Sequence, residues 1–140
     1  MKQIALLLIV VLFTMSGCKK DEPVNPDYVD IFVGTWVGTS YTNAGTTYDL
    51  TKMKDVYFHF IFRSVGVNTV ELKLTALEDG QTYSQVLGNL TISKSGDVYN
   101  LKPSGTTAST GSLKYTSTTG EMTFSTVDDN GLPLIIIFKK

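Results

Sequence analysis

Residues 28–140 predict an all-β fold, a single antiparallel up-and-down β-barrel of about eight strands. Three observations lead there. Apolar side chains recur at every second position in several runs, the period of a strand with one buried face. Clusters of Gly, Asn and Asp separate the runs, and these residues tolerate the positive φ of tight hairpins. The same stretch has no helical period longer than two turns. Thr, β-branched and polar, occurs eighteen times after Cys18 and suits a solvent-facing strand surface.

The strands are expected at 34–42, 46–52, 54–63, 67–77, 82–93, 97–102, 111–117 and 120–127, with a ninth at 132–138. The clearest is the third: Val56, Phe58, Phe60 and Phe62 share one face, opposite Tyr57, His59, Ile61 and Arg63. Val70, Leu72, Leu74 and Ala76 repeat the pattern. Val86, Leu90 and Ile92 give a further strand, with Gly88 placed to allow a bend. Leu113 and Tyr115, then Met122 and Phe124, mark two short ones. Turns are expected at Asn43-Ala44-Gly45, Glu78-Asp79-Gly80, Ser95-Gly96-Asp97, Thr118-Thr119-Gly120 and Asp128-Asp129-Asn130-Gly131. The links are short, so neighbours pair antiparallel. Closure removes the two open edges of a flat sheet. Segment 103–110 has no apolar member except Pro103 and Ala108 and reads as a mobile loop.

The ninth strand breaks the alternation. Leu134, Ile136 and Phe138 face one way, yet Ile135 and Ile137 face the other. A strand apolar on both faces needs cover on both. Tyr28-Val29-Asp30-Ile31-Phe32 is the expected cover, folded as a short turn across the outside or base of the barrel. A dimer contact or a ligand surface is the alternative.

The first residues carry an address. Lys2 precedes an apolar run from Ile4 to Phe13. As a helix, ten residues rise about 15 Å, too little for a bilayer core of about 30 Å. Length and flanks fit a secretory signal. Met15-Ser16-Gly17-Cys18 resembles a bacterial lipobox, with Met15 where Leu is commoner. The resemblance implies cleavage before Cys18 and lipidation of that residue, the only cysteine. Several acyl chains, at about 0.8 kcal/mol per buried methylene, make a stable anchor. The division expected is therefore signal peptide 1–17, lipidated Cys18 with a polar tether to residue 27, and barrel 28–140. The tether holds two of the four prolines and cannot bury enough surface to fold. Lys20-Asp21-Glu22 resembles the surface-export signal of some Gram-negative lipoproteins. An outer-membrane anchor facing the cell surface is expected, with the periplasm as the alternative.

Charge and composition exclude several functions. Lys plus Arg is 12 against 13 for Asp plus Glu, so there is no basic excess for a nucleic-acid partner. One Cys allows no intrachain disulfide, and one His with it cannot build a zinc site; no metal or cofactor is expected. His59 lacks a Gly-x-Ser-x-Gly elbow, so catalysis is not expected. Asp128–Gly131 lacks the spaced carboxylates of a calcium loop and reads as a hairpin turn. Tyr41, Tyr48, Tyr57, Tyr83 and Tyr99 are candidates for stacking on sugars or for capping strand edges.

Phe32-Val33-Gly34-Thr35-Trp36-Val37-Gly38 opens the first strand. Its Gly-x-Trp resembles the first-strand signature of lipocalins and the wider calycin group. Residues 28–140 also have the length and strand rhythm of calycin-like domains of small bacterial lipoproteins. The resemblance implies that Trp36 plugs the closed end while Gly34 lets backbone pass near the ring. Many lipocalins pack a last-strand Arg over that Trp. Here the sole Arg is Arg63, and the last strand ends in Lys139 and Lys140, so that contact is not carried over. The resemblance also implies a small hydrophobic ligand. Trp36, Phe58, Phe60 and Phe62 are the interior candidates to line its site, although rings in a row more often fill a core. Loops 43–46, 78–81, 103–110 and 128–131 form the other candidate surface. The expected function is non-enzymatic binding of a small hydrophobic molecule or a protein partner. The rivals are a protease inhibitor using a protruding loop, or a structural subunit of an envelope complex docking through Ile135 and Ile137.

Overall fold

The computed structural model describes residues 26–105 and 111–140. The signal-like segment, Cys18, most of the tether and most of the 103–110 loop lie outside the described residues. Alternation and turn chemistry produce nine strands: β1 (Gly34–Asn43), β2 (Thr46–Asp49), β3 (Tyr57–Gly66), β4 (Thr69–Glu78), β5 (Gln81–Ser95), β6 (Val98–Pro103), β7 (Ser112–Thr116), β8 (Glu121–Val127) and β9 (Pro133–Lys139). A four-residue helix, α1 (Val29–Phe32), precedes them, and a 3-10 turn (Leu50–Lys52) follows β2.

From β3 to β9 each strand pairs antiparallel with the next, and β1 lies between β3 and β9. The result is a closed, eight-stranded, up-and-down antiparallel barrel with β2 as an extra strand. β1 pairs with β3 over Gly34–Val37, then with β2 over Ser40–Asn43, while β9 runs along its other side. Ala44 (φ 48°) with Gly45 (φ 83°), and Asp79 (φ 51°) with Gly80 (φ 74°), supply the left-handed pairs that two-residue hairpins need.

Bulges decide which side chains face inward. A bulge adds a residue to one strand and exchanges the faces beyond it. At Thr39 the pairing of β1 with β9 slips, so Trp36 and Gly38 face inward below it and Tyr41 and Asn43 above. A Cβ on Gly38 would stand 3.0 Å from the Phe58 carbonyl oxygen and 3.2 Å from Leu50 Cδ1, so any larger residue would have to push these neighbours aside. In β5 the register slips around Leu87, beside Gly88 at φ 126°. Gly88 thus makes the expected bend, with one consequence that alternation alone does not give. Val86 pairs with Lys73 on the outer face and is 52% exposed, whereas Leu90 and Ile92 are buried.

The two ends differ. The closed end holds α1, the β3–β4, β5–β6 and β7–β8 turns, and the C-terminus of β9. Phe32 is fully buried there, 5.6–6.4 Å from the rings of Trp36, Phe62, Tyr99 and Tyr115. Trp36 Nε1 donates to the Phe32 carbonyl at 2.8 Å, so the indole is buried without an orphan donor. Lys140 Nζ lies 6.0 Å from the centroid of that indole and donates to the Ile31 carbonyl at 3.1 Å. A last-strand cation therefore does pack over the tryptophan, supplied by lysine instead of arginine. Arg63 is elsewhere, paired with Glu71 across β3 and β4 on the outer wall at 2.9 Å.

Asn68 fastens the floor. It is buried in the β3–β4 turn at φ 49°, a conformation that Asn tolerates better than most residues. Its Oδ1 accepts from the Tyr28 amide at 2.8 Å, and its Nδ2 donates to the Pro26 carbonyl at 3.0 Å. The Asp27 carboxylate accepts from the Asn68 amide at 3.0 Å and from the Val29 amide at 3.1 Å.

The expected role of 28–32 is corrected by this arrangement. α1 closes the base, where Val29 and Phe32 are buried, and its main contacts are with β3 and β4. It does not cover Ile135, which is 37% exposed on the outer face.

Candidate functional site

Above the Phe60 level the interior is less completely filled: Leu50, Ala76 and Ile136 are buried, but Tyr41, Val56 and Phe58 are only partly so. β1 contributes Tyr41 and β3 contributes Phe58, their rings stacked with centroids 6.0 Å apart at 20°. β2 adds Tyr48, whose ring lies 5.9 Å from that of Tyr41. The connection from β2 to β3 lays Leu50, Met53 and Val56 across the remaining sides. Together the six line a cavity of about 190 Å³ at the mouth. Its walls carry no charged side chain. Asn43 projects from the same inner face of β1 and donates through Nδ2 to the Tyr41 hydroxyl at 3.2 Å. Its Oδ1 is buried and has no hydrogen-bond partner. An orphan acceptor of this kind costs about 1–3 kcal/mol unless something donates to it.

The backbone of this wall is held locally. Asp49 caps the 3-10 turn: its Oδ1 accepts from the Thr51 amide at 3.0 Å and from the Thr51 hydroxyl at 2.5 Å. Lys52 Nζ lies 2.9 Å from its other oxygen. The Thr51 hydroxyl, then Lys52, hold the Asp49 carboxyl below its ordinary pKa. Beside the β1–β2 hairpin, where the Ala44 amide bonds to the Pro133 carbonyl at 3.2 Å, Asp128 Oδ1 accepts from the Asn130 and Leu132 amides, each at 2.9 Å. That oxygen thus closes the β8–β9 turn.

A second cavity, of about 140 Å³, opens where β5 and β6 part. β6 pairs with β5 only over Leu90–Ser95, and the Ser104 amide makes one further bond to the Asn89 carbonyl. Above that point the β4–β5 hairpin stands clear, and among the described residues no strand pairs with the free edge of Gln81–Gly88. Phe60, Leu72, Leu87, Leu90, Leu101 and Phe124 are among the apolar residues of the cavity wall. A wider groove of about 370 Å³ runs along β6 and β7 and includes Lys102 and Lys114.

Of the four interior residues singled out in the sequence, two border these spaces. Phe58 lines the mouth cavity and Phe60 the side cavity. Phe60 also stacks on Phe138 at 4.2 Å. Trp36 and Phe62 lie in the filled lower half, 2% exposed each. Of the described residues, loops 43–46, 78–81 and 128–131 gather at the mouth, as expected of one surface. His59 faces outward on β3 with its ring 4.6 Å from that of Tyr57. Among the described residues no three His, Cys, Asp or Glu side chains gather as a metal site would require.

A solved β-barrel is similar to this chain. It is a redesigned β-barrel, with a TM-score of 0.51 and 18% identity, matched over 80% of this chain and 93% of that one. At that identity the likeness concerns the fold alone. No protein-family model matches the chain, and neither does any curated protein.

Sequence reasoning missed most of the mouth. Tyr41 and Tyr48 stood out only as two tyrosines among five. Leu50, Met53 and Val56 recur at every third residue in a stretch otherwise polar, and that spacing was the available signal.

Proposed function

We propose that this chain is a lipid-anchored, non-enzymatic lipoprotein of the outer membrane, whose calycin-like barrel binds a small hydrophobic molecule at its mouth. The observation that carries the binding reading is the uncharged, aromatic cavity formed by Tyr41, Tyr48, Leu50, Met53, Val56 and Phe58. An apolar cavity of about 150 Å³ holds benzene. The mouth cavity, about 190 Å³, suits a single or fused ring with a short substituent and not a long acyl chain. Support for the anchor is the lipobox-like Met15–Cys18, which lies outside the described residues.

Two measurements test this. Titration of the mature protein with indole, followed by NMR, should shift signals of the six lining residues with saturation. Met53→Trp should fill the cavity and remove the shifts while leaving the melting temperature unchanged. Shifts spread over the whole surface, or none, would refute the site. Separately, Cys18→Ala should abolish labelling by radioactive palmitate, and retained labelling would refute the anchor.

One observation favours a protein partner as the second reading. Exposed strand edges are usually guarded by charge or proline. The free edge of β5 has neither from Gln81 to Gly88. An extended segment of a partner could add there as a further strand. Ser84→Lys with Val86→Lys should then dissociate a partner that co-purifies with the native protein, without unfolding the barrel.

A further inference from the structure

The bonds around Asn68 determine where the chain enters the barrel. Pro26 and Asp27 are tied to the β3–β4 turn, so whatever precedes them leaves from the closed end. The tether reading then sets an orientation. From Cys18 to Pro26 there are eight Cα steps, at most about 29 Å fully extended. The nine steps of β4 from Thr69 to Glu78 run about 30 Å along the strand at about 3.3 Å per residue, which is about 23 Å of barrel height at a tilt of about 40°. A mouth turned to the membrane would need about four-fifths of the tether's full extension, stretched along the wall. A closed end turned to the membrane needs none of that length.

The turn nearest the tether has the surface for such a contact. Val67, beside Asn68, is 69% exposed, and Val65 is 44% exposed. Both belong to the segment that grips Pro26. Lys94 and Lys140 lie at the same end, their ammonium groups over the rings of Tyr28, Tyr99 and Trp36, where lipid phosphates would meet them.

We propose that the β3–β4 turn, through Val65 and Val67, rests on the bilayer that holds the anchor, and that the mouth faces away from it. This rests on the anchored reading of Cys18. The consequence for binding is direct: ligand reaches the mouth cavity from the aqueous side and not from the lipid.

The test uses the anchored protein in vesicles containing brominated lipid, which quenches tryptophan on contact. Val67→Trp adds an indole at the closed end, and Tyr83→Trp adds one on the β4–β5 hairpin at the mouth. Native Trp36, buried, gives the background. Quenching several-fold stronger for Val67→Trp than for Tyr83→Trp is expected. Equal or stronger quenching of Tyr83→Trp overturns the orientation, and no quenching of either overturns the contact. Val65→Trp gives the same reading should Val67→Trp fail to fold. The mass of the mature N-terminus reports the anchor independently. If Cys18 carries no acyl chain, the anchored reading fails by itself. The quenching is then measured on protein joined through the Cys18 thiol to a maleimide lipid, so the two failures stay distinct.

Discussion

At the closed end, Phe32 sits among four aromatic rings, Trp36 has its N–H satisfied, and Asn68 ties three successive residues of the incoming chain to one turn. At the mouth, Tyr41, Phe58 and Tyr48 meet over a cavity, Asn43 keeps an unused acceptor, and β5 rises beyond its partner strand. The same strands build both ends. The lower half spends its apolar side chains on one another, which is what a packed interior requires. The upper half buries Leu50, Ala76 and Ile136 but leaves Tyr41, Tyr48 and Phe58 partly facing a cavity. A cavity in a small barrel is a standing loss of packing energy, so its persistence at one end is where a binding role is to be sought.

Truncation at the two ends should separate them most sharply. Phe32→Ala removes a fully buried ring and should cost about 3–5 kcal/mol in chemical denaturation. Met53→Ala at the 42% exposed lip of the mouth should cost less than about 1 kcal/mol. Equal losses would erase the distinction. Asn68→Ala comes next, at about 1–2 kcal/mol, because it leaves the Tyr28 amide and Pro26 carbonyl without their partner in a partly buried place. Asn68→Gly removes the same bonds without backbone strain at φ 49° and should recover about 1 kcal/mol of that loss.

The nine strands were legible because strands announce themselves by period and turns by composition. The bulges were not. A bulge at Thr39 or Leu87 is a property of two strands aligned together, and neither strand shows it alone. That is why Val86 belongs by spacing to the face of Leu90 but sits on the opposite one. The stretch 28–32 was rightly read as a short turn at the base but not as the cover of Ile135, since its apolar residues do not say which gap they fill. Asn68, in Gly66-Val67-Asn68, has the composition of a turn, yet its grip on Pro26 and Tyr28 joins residues about forty positions apart. Lys140 over Trp36 was hidden by attention to arginine, although the contact needs only a cation on a long stem.

The smallest expected effect is electrostatic and belongs to the mouth. The Asp49 carboxyl is held below its ordinary pKa chiefly by Thr51, and then by Lys52. A depressed carboxyl contributes stability above its unfolded pKa and loses it as pH falls through the folded one. Thr51→Val should raise the Asp49 pKa in an NMR titration. An unchanged Asp49 pKa would contradict the hydrogen bonds from Thr51 as its chief cause.

Native-state hydrogen exchange tests the difference between the ends most directly. Amides of Trp36, Phe62 and Leu101 should exchange only on global unfolding, while unpaired edge amides of Gln81–Leu87 should exchange orders of magnitude faster. Adding the mouth ligand should slow exchange around Tyr41, Tyr48 and Phe58 and leave the closed end unaltered. Uniform protection from floor to rim, with or without ligand, would contradict the account.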